Sequence, residues 1–108
     1  MLEPAWKLVL SNKGILPILW ELYPDHPNLL PTYWDSSKFG STYVRKPLLS
    51  REGADVTIVR DGVEGATLKK GYGTEGYIYQ QYLDLPKFDG YTPIIGSWMV
   101  GGRSCGMG

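Results

Sequence analysis

The fold is decided by the stretch Val56-Thr-Ile-Val-Arg-Asp-Gly62, in which a short alternating run of residues meets a turn dipeptide. Alternation with a period of two is typical of a half-buried β-strand. Asp-Gly is a strong hairpin signal, because both residues accept the positive φ angles of a tight two-residue turn. The stretch therefore predicts a β-hairpin, whose return strand we place over residues 66–70.

Further strands are predicted on both sides of this hairpin. β-branched and aromatic residues favour strands, and such runs cover residues 42–49, 77–83 and 92–100. Glycines that predict a flexible link precede the second of these runs, at Gly71, Gly73 and Gly76.

The last residues predict a turn without a completed partner. Gly101-Gly102-Arg103-Ser104 has the composition of a tight turn into another strand. Because the sequence stops at Gly108, we expect that strand to be incomplete and the domain to be truncated within an element. An edge ending in this way leaves unpaired backbone groups.

The front of the chain is helical and interrupted by prolines. Residues 4–11 predict a short helix, and a second helix starting near Gly14 places Pro17 in its first turn, where proline is tolerated. The apolar face of this second helix is expected to consist of Ile15, Ile18, Leu19 and Leu22. Taken together, the pattern predicts an α+β fold in one domain, with a helical and loop segment at 1–40 and a strand-rich segment at 41–108.

Composition excludes several classes of function. Eleven Lys and Arg residues balance eleven Asp and Glu residues, so the long-range field that attracts nucleic acid or anionic membranes is missing. No apolar run reaches the roughly 18 residues of a membrane span. The single cysteine, Cys105, has no internal disulfide partner, and the first thirty residues carry no secretory pattern. We expect a cytoplasmic protein with no nucleic-acid or membrane partner.

His26 lies in a proline-flanked loop and is interpreted as a solvated surface residue.

Two lysines stand at structural transitions that suit an anion. Lys13 falls at the predicted helix start, where free backbone N–H groups favour negative charge. Lys46 lies in a β-type run that leads into a polar turn with Ser50, Arg51 and Gly53, which offer donors and backbone freedom. Together these residues could bind a polyphosphate. The alternative is a solvated lysine and a plain hairpin connection, since the phosphate-binding Gly-x-x-x-x-Gly-Lys-Ser/Thr pattern is absent.

A resemblance extends over nearly the whole chain. The runs that carry it are Glu3-Pro-Ala-Trp-Lys7, Leu10-Ser-Asn-Lys-Gly-Ile-Leu-Pro-Ile-Leu-Trp20, His26-Pro-Asn-Leu-Leu-Pro31, Arg45-Lys-Pro-Leu-Leu-Ser-Arg-Glu-Gly53, Tyr79-Gln-Gln81 and Ile95-Gly-Ser-Trp-Met-Val-Gly-Gly102. In this order they resemble the C-terminal part of the glutathionylspermidine synthase family. The resemblance implies an ATP-grasp fold, in which two α+β lobes hold ATP, and a ligase that joins a carboxylate to an amine through an acyl phosphate.

The resemblance also implies roles for particular residues. Lys13 and Lys46 would bind the ATP phosphates. A flexible loop closing over those phosphates would consist of Ser50, Arg51, Glu52, Gly53 and Ala54, and its closure would exclude water from the acyl phosphate. The segment facing adenine would consist of Gln80, Gln81, Tyr82 and Leu83. For this last segment a half-buried strand without a ligand is the competing interpretation.

Other parts of the family pattern lie outside this sequence. The resemblance places the magnesium ligands, a transition-state arginine and the glutathione-binding residues in a preceding stretch. We therefore expect ATP and Mg²⁺ as cofactors, with the metal ligands outside the 108 residues. The expected partners are the remainder of the parent chain, a small glutathione-like carboxylate and an amine. Residues 1–108 alone are expected to be inactive.

Two other functions remain open at this point. Eight Tyr and four Trp on a small β-rich chain could provide stacking platforms for single-stranded nucleic acid, and a salt-dependent affinity for oligonucleotides would favour that function. Proline-rich loops and aromatic residues also fit a small non-catalytic interaction module. Unchanged ATP binding after replacement of both Lys13 and Lys46 would favour the module.

Overall fold

The structure is a computed structural model that describes residues 5–51, 53–85, 87–92 and 97–107. A 3₁₀ helix at Ala5–Ser11 precedes one α-helix, α1, at Ile15–Leu22. The strands that follow are β1 Thr32–Tyr33, β2 Tyr43–Pro47, β3 Thr57–Arg60, β4 Val63–Glu64, β5 Tyr77–Gln80, β6 Ser97–Val100 and β7 Arg103–Met107.

The strands form two antiparallel sheets. Five strands pair in the order β1-β5-β2-β3-β4, and β6 pairs with β7 in a separate two-stranded sheet. β2 and β5 are the central pair of the larger sheet, with Lys46 opposite Ile78 and Val44 opposite Gln80. The expected α+β class, with a short helical front and an antiparallel sheet, is confirmed. β1 lies in the segment that the sequence assigned to helix and loop.

The hairpin at Asp61-Gly62 is confirmed, but its return strand is shorter and earlier than predicted. The two turn residues have φ angles of 52° and 80°, and Val63 pairs at once with Arg60. Residues 66–70 form no strand. They are held instead by Asp55, whose carboxylate accepts hydrogen bonds from the backbone N–H of Lys70 and of Tyr72 at 2.9 and 3.0 Å. The Asp55 backbone N–H also donates to the Leu68 carbonyl at 2.8 Å, so this segment is held by contacts with Asp55 and not by a strand ladder.

Two other strands end earlier than the pattern predicts. β2 ends at Pro47, and the chain bends at Leu48 and Leu49, although the Leu48 N–H still donates to the Gly76 carbonyl before β5 at 3.1 Å. β5 stops at Gln80, and Gln81 donates its backbone N–H to the Pro31 carbonyl in a loop at 2.9 Å. The predicted strand at 92–100 is observed from Ser97, Thr92 lies outside any strand, and residues 93–96 lie outside the described residues.

The partner strand that the sequence analysis expected to be incomplete is observed, paired along the whole of β6. β7 pairs with β6 from Val100↔Arg103 to Ser97↔Met107, with a bulge between Trp98 and Met99. Gly101 and Gly102 have φ angles of 58° and 79°, which suit the two-residue turns that match strand twist. This turn is short enough for the last residues to complete the pair.

The helix α1 begins where predicted but buries a different face. Pro17 is its third residue, within the first turn, and is buried. Ile18 and Leu22 belong to the predicted apolar face, yet 49% and 64% of their surfaces are exposed. The helix packs on β1 instead, and Trp20 donates its indole N–H to the Tyr33 hydroxyl at 3.1 Å.

The core of the described chain is small. Its buried apolar side chains include Ala54, Val59 and Ile78. On one side of the large sheet aromatic rings contact one another in series, with centroids 5.5 to 6.5 Å apart, in the order Tyr33, Phe39, Tyr43 and Tyr79. Offset and edge-to-face packing of this kind is stabilising. These four rings therefore pack against protein rather than standing apart as stacking platforms.

Candidate functional site

Lys46 is fixed on the central strand pair of the large sheet. It lies on β2 between β3 and β5, and it points to the face opposite its neighbour Arg45, because successive side chains alternate along a strand. Its ammonium donates a hydrogen bond to the Gln80 Oε1 atom on β5 at 2.6 Å. The lysine is therefore held by its pairing with β5 and by a side chain from that strand.

Gln80 connects Lys46 to the interior of the protein through a further hydrogen bond. Its side-chain amide donates to the Thr32 Oγ1 atom at 3.2 Å, and the Thr32 hydroxyl donates to the Leu30 carbonyl at 2.9 Å. Gln80 and Thr32 are both buried. An ammonium can only donate, so the Gln80 oxygen must accept from Lys46 and the Gln80 nitrogen must donate to Thr32. Lys46 thus lies at the end of a series of hydrogen bonds that connects β2, β5 and β1.

Lys13 reaches the same region from the start of the helix. Its ammonium donates to the Ser50 carbonyl at 2.7 Å and to the Ser50 hydroxyl at 3.0 Å. Its backbone N–H donates to the Leu48 carbonyl at 2.9 Å. Nearby, the Asn12 side chain accepts the Gly14 N–H at 2.8 Å. The helix start and the segment after β2 are therefore joined through both backbone and side chain.

Neighbouring positive charges perturb both lysines. Burial lowers the pKa of Lys46 below its ordinary value, and the nearby charge of Lys13 lowers it further. The pKa of Lys13 is lowered by burial and then by the charge of Arg51. Two half-buried lysines and a guanidinium thus form one cationic cluster, defined here as Lys13, Lys46 and Arg51.

No carboxylate in the described part of the chain forms an ion pair with Lys13 or Lys46. Burial of charge is unfavourable unless an opposite charge or several hydrogen bonds compensate it. The ammonium of Lys46 has three N–H donors and uses one of them on Gln80. The cluster can therefore accept an anion, which would relieve the repulsion between its members.

The predicted closing loop is only partly described. Ser50 and Ala54 are buried, whereas Arg51 and Gly53 are exposed. The Ala54 N–H donates to the Arg51 carbonyl at 3.0 Å, and Gly53 has a φ of 72°, so the segment turns tightly. Glu52 lies outside the described residues. The structure brings Ser50 to Lys13, and Arg51 into electrostatic range of it.

The predicted adenine segment divides into a buried and an exposed part. Gln80 is buried and its amide is engaged by Lys46 and Thr32. Gln81 and Leu83 are exposed and follow the end of β5. Of this segment, the structure brings only Gln80 into contact with the cluster.

Tyr82 belongs to a separate surface group. The Arg60 guanidinium lies 4.7 Å from the centre of the Tyr82 ring and also contacts its hydroxyl. That hydroxyl donates to Asp84 at 2.6 Å, and this hydrogen bond raises the pKa of Tyr82. Arg60 and Thr32 are contacts that sequence reasoning missed. The only signal for Thr32 was its position in a loop, which carries no information on its partner across the sheet.

The described residues offer no group of three or more His, Cys, Asp or Glu side chains able to hold a metal ion. His26 is exposed in its loop, where its Nδ1 atom accepts the Asn28 N–H at 3.1 Å. In the same part of the chain no helix has the length and apolar character needed to cross a membrane.

Comparison with known proteins decides the family. A family model described as glutathionylspermidine synthase preATP-grasp matches residues 1–108. The chain belongs to the glutathionylspermidine synthase family. The resemblance found in the sequence is thereby confirmed. The description names the preATP-grasp region of these proteins, whereas the sequence analysis assigned the chain to the ATP-binding lobe.

Relatives with curated names agree with this family. A Haemophilus influenzae protein named "Putative acid–amine ligase" is 52% identical over 116 residues, covering 99% of this chain and 30% of the relative. Trypanothione synthetase of Crithidia fasciculata is 42% identical and covers 98% of this chain and 17% of the relative. The bifunctional glutathionylspermidine synthetase/amidase of Escherichia coli is 36% identical, and the match covers 94% of this chain and 17% of the relative. The chain thus spans less than a third of the length of these relatives.

Proposed function

We propose that this chain is the ATP-handling part of an acid–amine ligase and that the cationic cluster binds the nucleotide phosphates. The observation that carries the proposal is the pair Lys13 and Lys46, which share one electrostatic environment without a carboxylate partner in the described residues. Family membership supplies the context, since the relatives are named as ligases and synthetases. A triphosphate is an anion of the size and charge that such a cluster can bind.

The contacts support different tasks for the two lysines. Lys46 is held by Gln80 on the central strands, so its ammonium needs little ordering when a phosphate binds. Lys13 is held by Ser50 and would bring the segment after β2 towards the same phosphates. The closing loop would consist of Ser50, Arg51, Glu52, Gly53 and Ala54. Its closure would exclude water and strengthen the charged contacts.

The proposal also assigns the chain to a nucleotide-binding domain and one of its segments to the adenine. Residues 1–108 would form part of an ATP-grasp nucleotide-binding domain, with Gln80, Gln81, Tyr82 and Leu83 along the adenine. The exposed surfaces of Gln81 and Leu83 beside the buried Gln80 support this placement. The rest of the domain would be provided by the remainder of the parent chain, because the relatives are at least three times as long as the matched region.

The proposed reaction transfers phosphate and then forms an amide. A carboxylate oxygen attacks the γ-phosphorus of ATP and releases ADP, and the acyl phosphate then loses phosphate when an amine attacks its carbonyl carbon. Names of the relatives suggest a glutathione-like carboxylate and a polyamine-like amine. Mg²⁺ would neutralise charge during phosphoryl transfer. Its ligands would come from outside this chain.

Assay of the full-length protein tests this function. With Mg²⁺, ATP, glutathione and spermidine, the protein is expected to release ADP and form the amide in equal amounts. Lys46→Met is expected to lower kcat/KM strongly, whereas Lys70→Met, at an exposed position, leaves it unchanged. A folded protein that releases no ADP with any carboxylate and amine pair would contradict the proposal.

Residues 1–108 alone are proposed to be inactive, because phosphoryl transfer requires positioned metal ions. Purified chain incubated with Mg²⁺ and ATP is expected to release no phosphate above the buffer rate. Magnesium-dependent release that Lys46→Ala abolishes would show that the chain is catalytically complete.

A further inference from the structure

An apolar groove lies beside the candidate site, between the 3₁₀ helix, α1 and the segment after β2. Its volume is about 510 Å³, and its lining includes Leu8, Val9, Ile15, Ile18, Trp34 and Leu49. None of the described residues that line it is charged. Exposed fractions of 60% for Leu8, 64% for Val9 and 54% for Trp34 show that these side chains lie open to solvent.

The apolar side chains of α1 indicate that this groove is normally covered. Ile15 and Ile18 line it and lie one helical turn apart, a spacing typical of a buried helix face, yet Ile18 remains exposed in the structure. A chain with a small core and an open apolar face has the character of one side of a larger packed unit.

The length of the relatives indicates what covers it. The matched region makes up 30% of the Haemophilus influenzae relative and 17% of the other two. A segment of the same polypeptide acts at a high effective concentration, which gives it the advantage over a separate molecule. We propose that the groove is an intramolecular docking surface for an uncharged apolar segment of the parent chain outside residues 1–108.

Docking there would also stabilise the lysine site. Asn12 and Gly14 line the groove, as do Leu48 and Leu49, and Lys13 lies between the first pair and hydrogen-bonds to Leu48. A covered groove holds both segments in place. The docking itself is independent of nucleotide binding, so the test below contains no nucleotide.

Oxidative footprinting of the full-length protein tests the docking directly. Leu8, Val9 and Ile18 are expected to be oxidised several-fold more slowly than the exposed residues of the same type, which are Leu68, Val63 and Ile58. The protection is expected to be the same across a dilution series. Equal oxidation of the two groups would overturn the proposal. Protection that disappears on dilution, together with a change in molecular mass, would also overturn it, in favour of a second copy of the chain.

A matched pair of substitutions gives a second test. Val9 and Val63 are the same residue type with similar exposed fractions, 64% and 70%. Val9→Glu would bury a charge against the docked segment, so it is expected to lower the Tm of the full-length protein by roughly 5 °C or more. Val63→Glu is expected to leave the Tm nearly unchanged. Equal small shifts for the two variants would contradict the proposed docking.

Discussion

The cationic side chains on the two faces of the large sheet have different contacts. On one face, Arg45 pairs with Glu64 at 3.1 Å and lies 5.2 Å from the centre of the Tyr77 ring. On the other face, Lys46 is desolvated, has Lys13 as a charged neighbour and donates a hydrogen bond to the neutral Gln80. Among the described residues, Arg45 has a carboxylate partner and Lys46 has none.

This difference separates a structural cation from a binding cation. A charge with an ion pair and an aromatic contact is compensated within the fold. A desolvated charge beside another of the same sign raises the free energy of the folded state until an anion binds. Perturbed pKa values concentrate at functional sites. The comparison therefore supports the proposal that Arg45 is a structural residue and that Lys46 binds the ligand.

The largest expected effect on stability is that of Gln80→Leu. The substitution removes the acceptor from Lys46 and leaves a desolvated ammonium without a hydrogen bond. Loss of a hydrogen bond to a charged group costs about 2–3 kcal/mol in free energy of unfolding. Gln81→Leu is the matched control, because Gln81 is exposed and its backbone N–H bond to Pro31 is retained. Chemical denaturation of both variants measures the difference, and similar losses would show that the Gln80 contact is unimportant.

A smaller loss in free energy of unfolding is expected from Arg45→Met. The ion pair with Glu64 is partly exposed, with 28% and 60% of the two side chains accessible, and such pairs contribute little. The substitution also removes the buried Nε atom, which has no hydrogen-bond partner. We expect a loss below about 1 kcal/mol and an unchanged affinity for ATP. A large fall in ATP affinity, measured by calorimetry, would place Arg45 in the binding site and remove the distinction between the faces.

The smallest effect is expected in the pH dependence of stability. The pKa of Lys46 in the folded state lies below the ordinary value of 10.5. Between these two values the unfolded chain binds more protons, so stability rises with pH across that window. Below the lowered pKa the penalty from the buried charge is complete. Subtracting the curve of Lys46→Met from that of the wild type isolates this rise, and parallel curves would show that Lys46 is not perturbed.

Sequence patterns predicted local elements better than their partners. Asp61-Gly62 fixes its turn through backbone conformation alone, and Pro17 restricts the helix start in the same way. The return strand was misplaced because the carboxylate of Asp55 holds residues 68–72, a contact that no local pattern encodes.

The candidate site was predictable only in part, for the same reason. Lys13 and Lys46 were found through their local context and through the family resemblance. Their link to Ser50, Gln80 and Thr32 depends on strand order and register. The apolar periodicity of α1 did not predict which of its residues are exposed, because burial depends on what packs against a helix and not on its periodicity alone.

Calorimetric titration of the full-length protein with ATP and, separately, with adenosine tests the central claim most directly. If Lys46 binds phosphate, Lys46→Met should weaken ATP binding roughly ten- to hundredfold, the equivalent of one charge-assisted hydrogen bond, and leave adenosine binding unchanged. Lys70→Met should change neither affinity. Equal losses of ATP affinity from Lys46→Met and Lys70→Met, or an equal loss of adenosine affinity in Lys46→Met, would contradict the assignment of Lys46 to the phosphates.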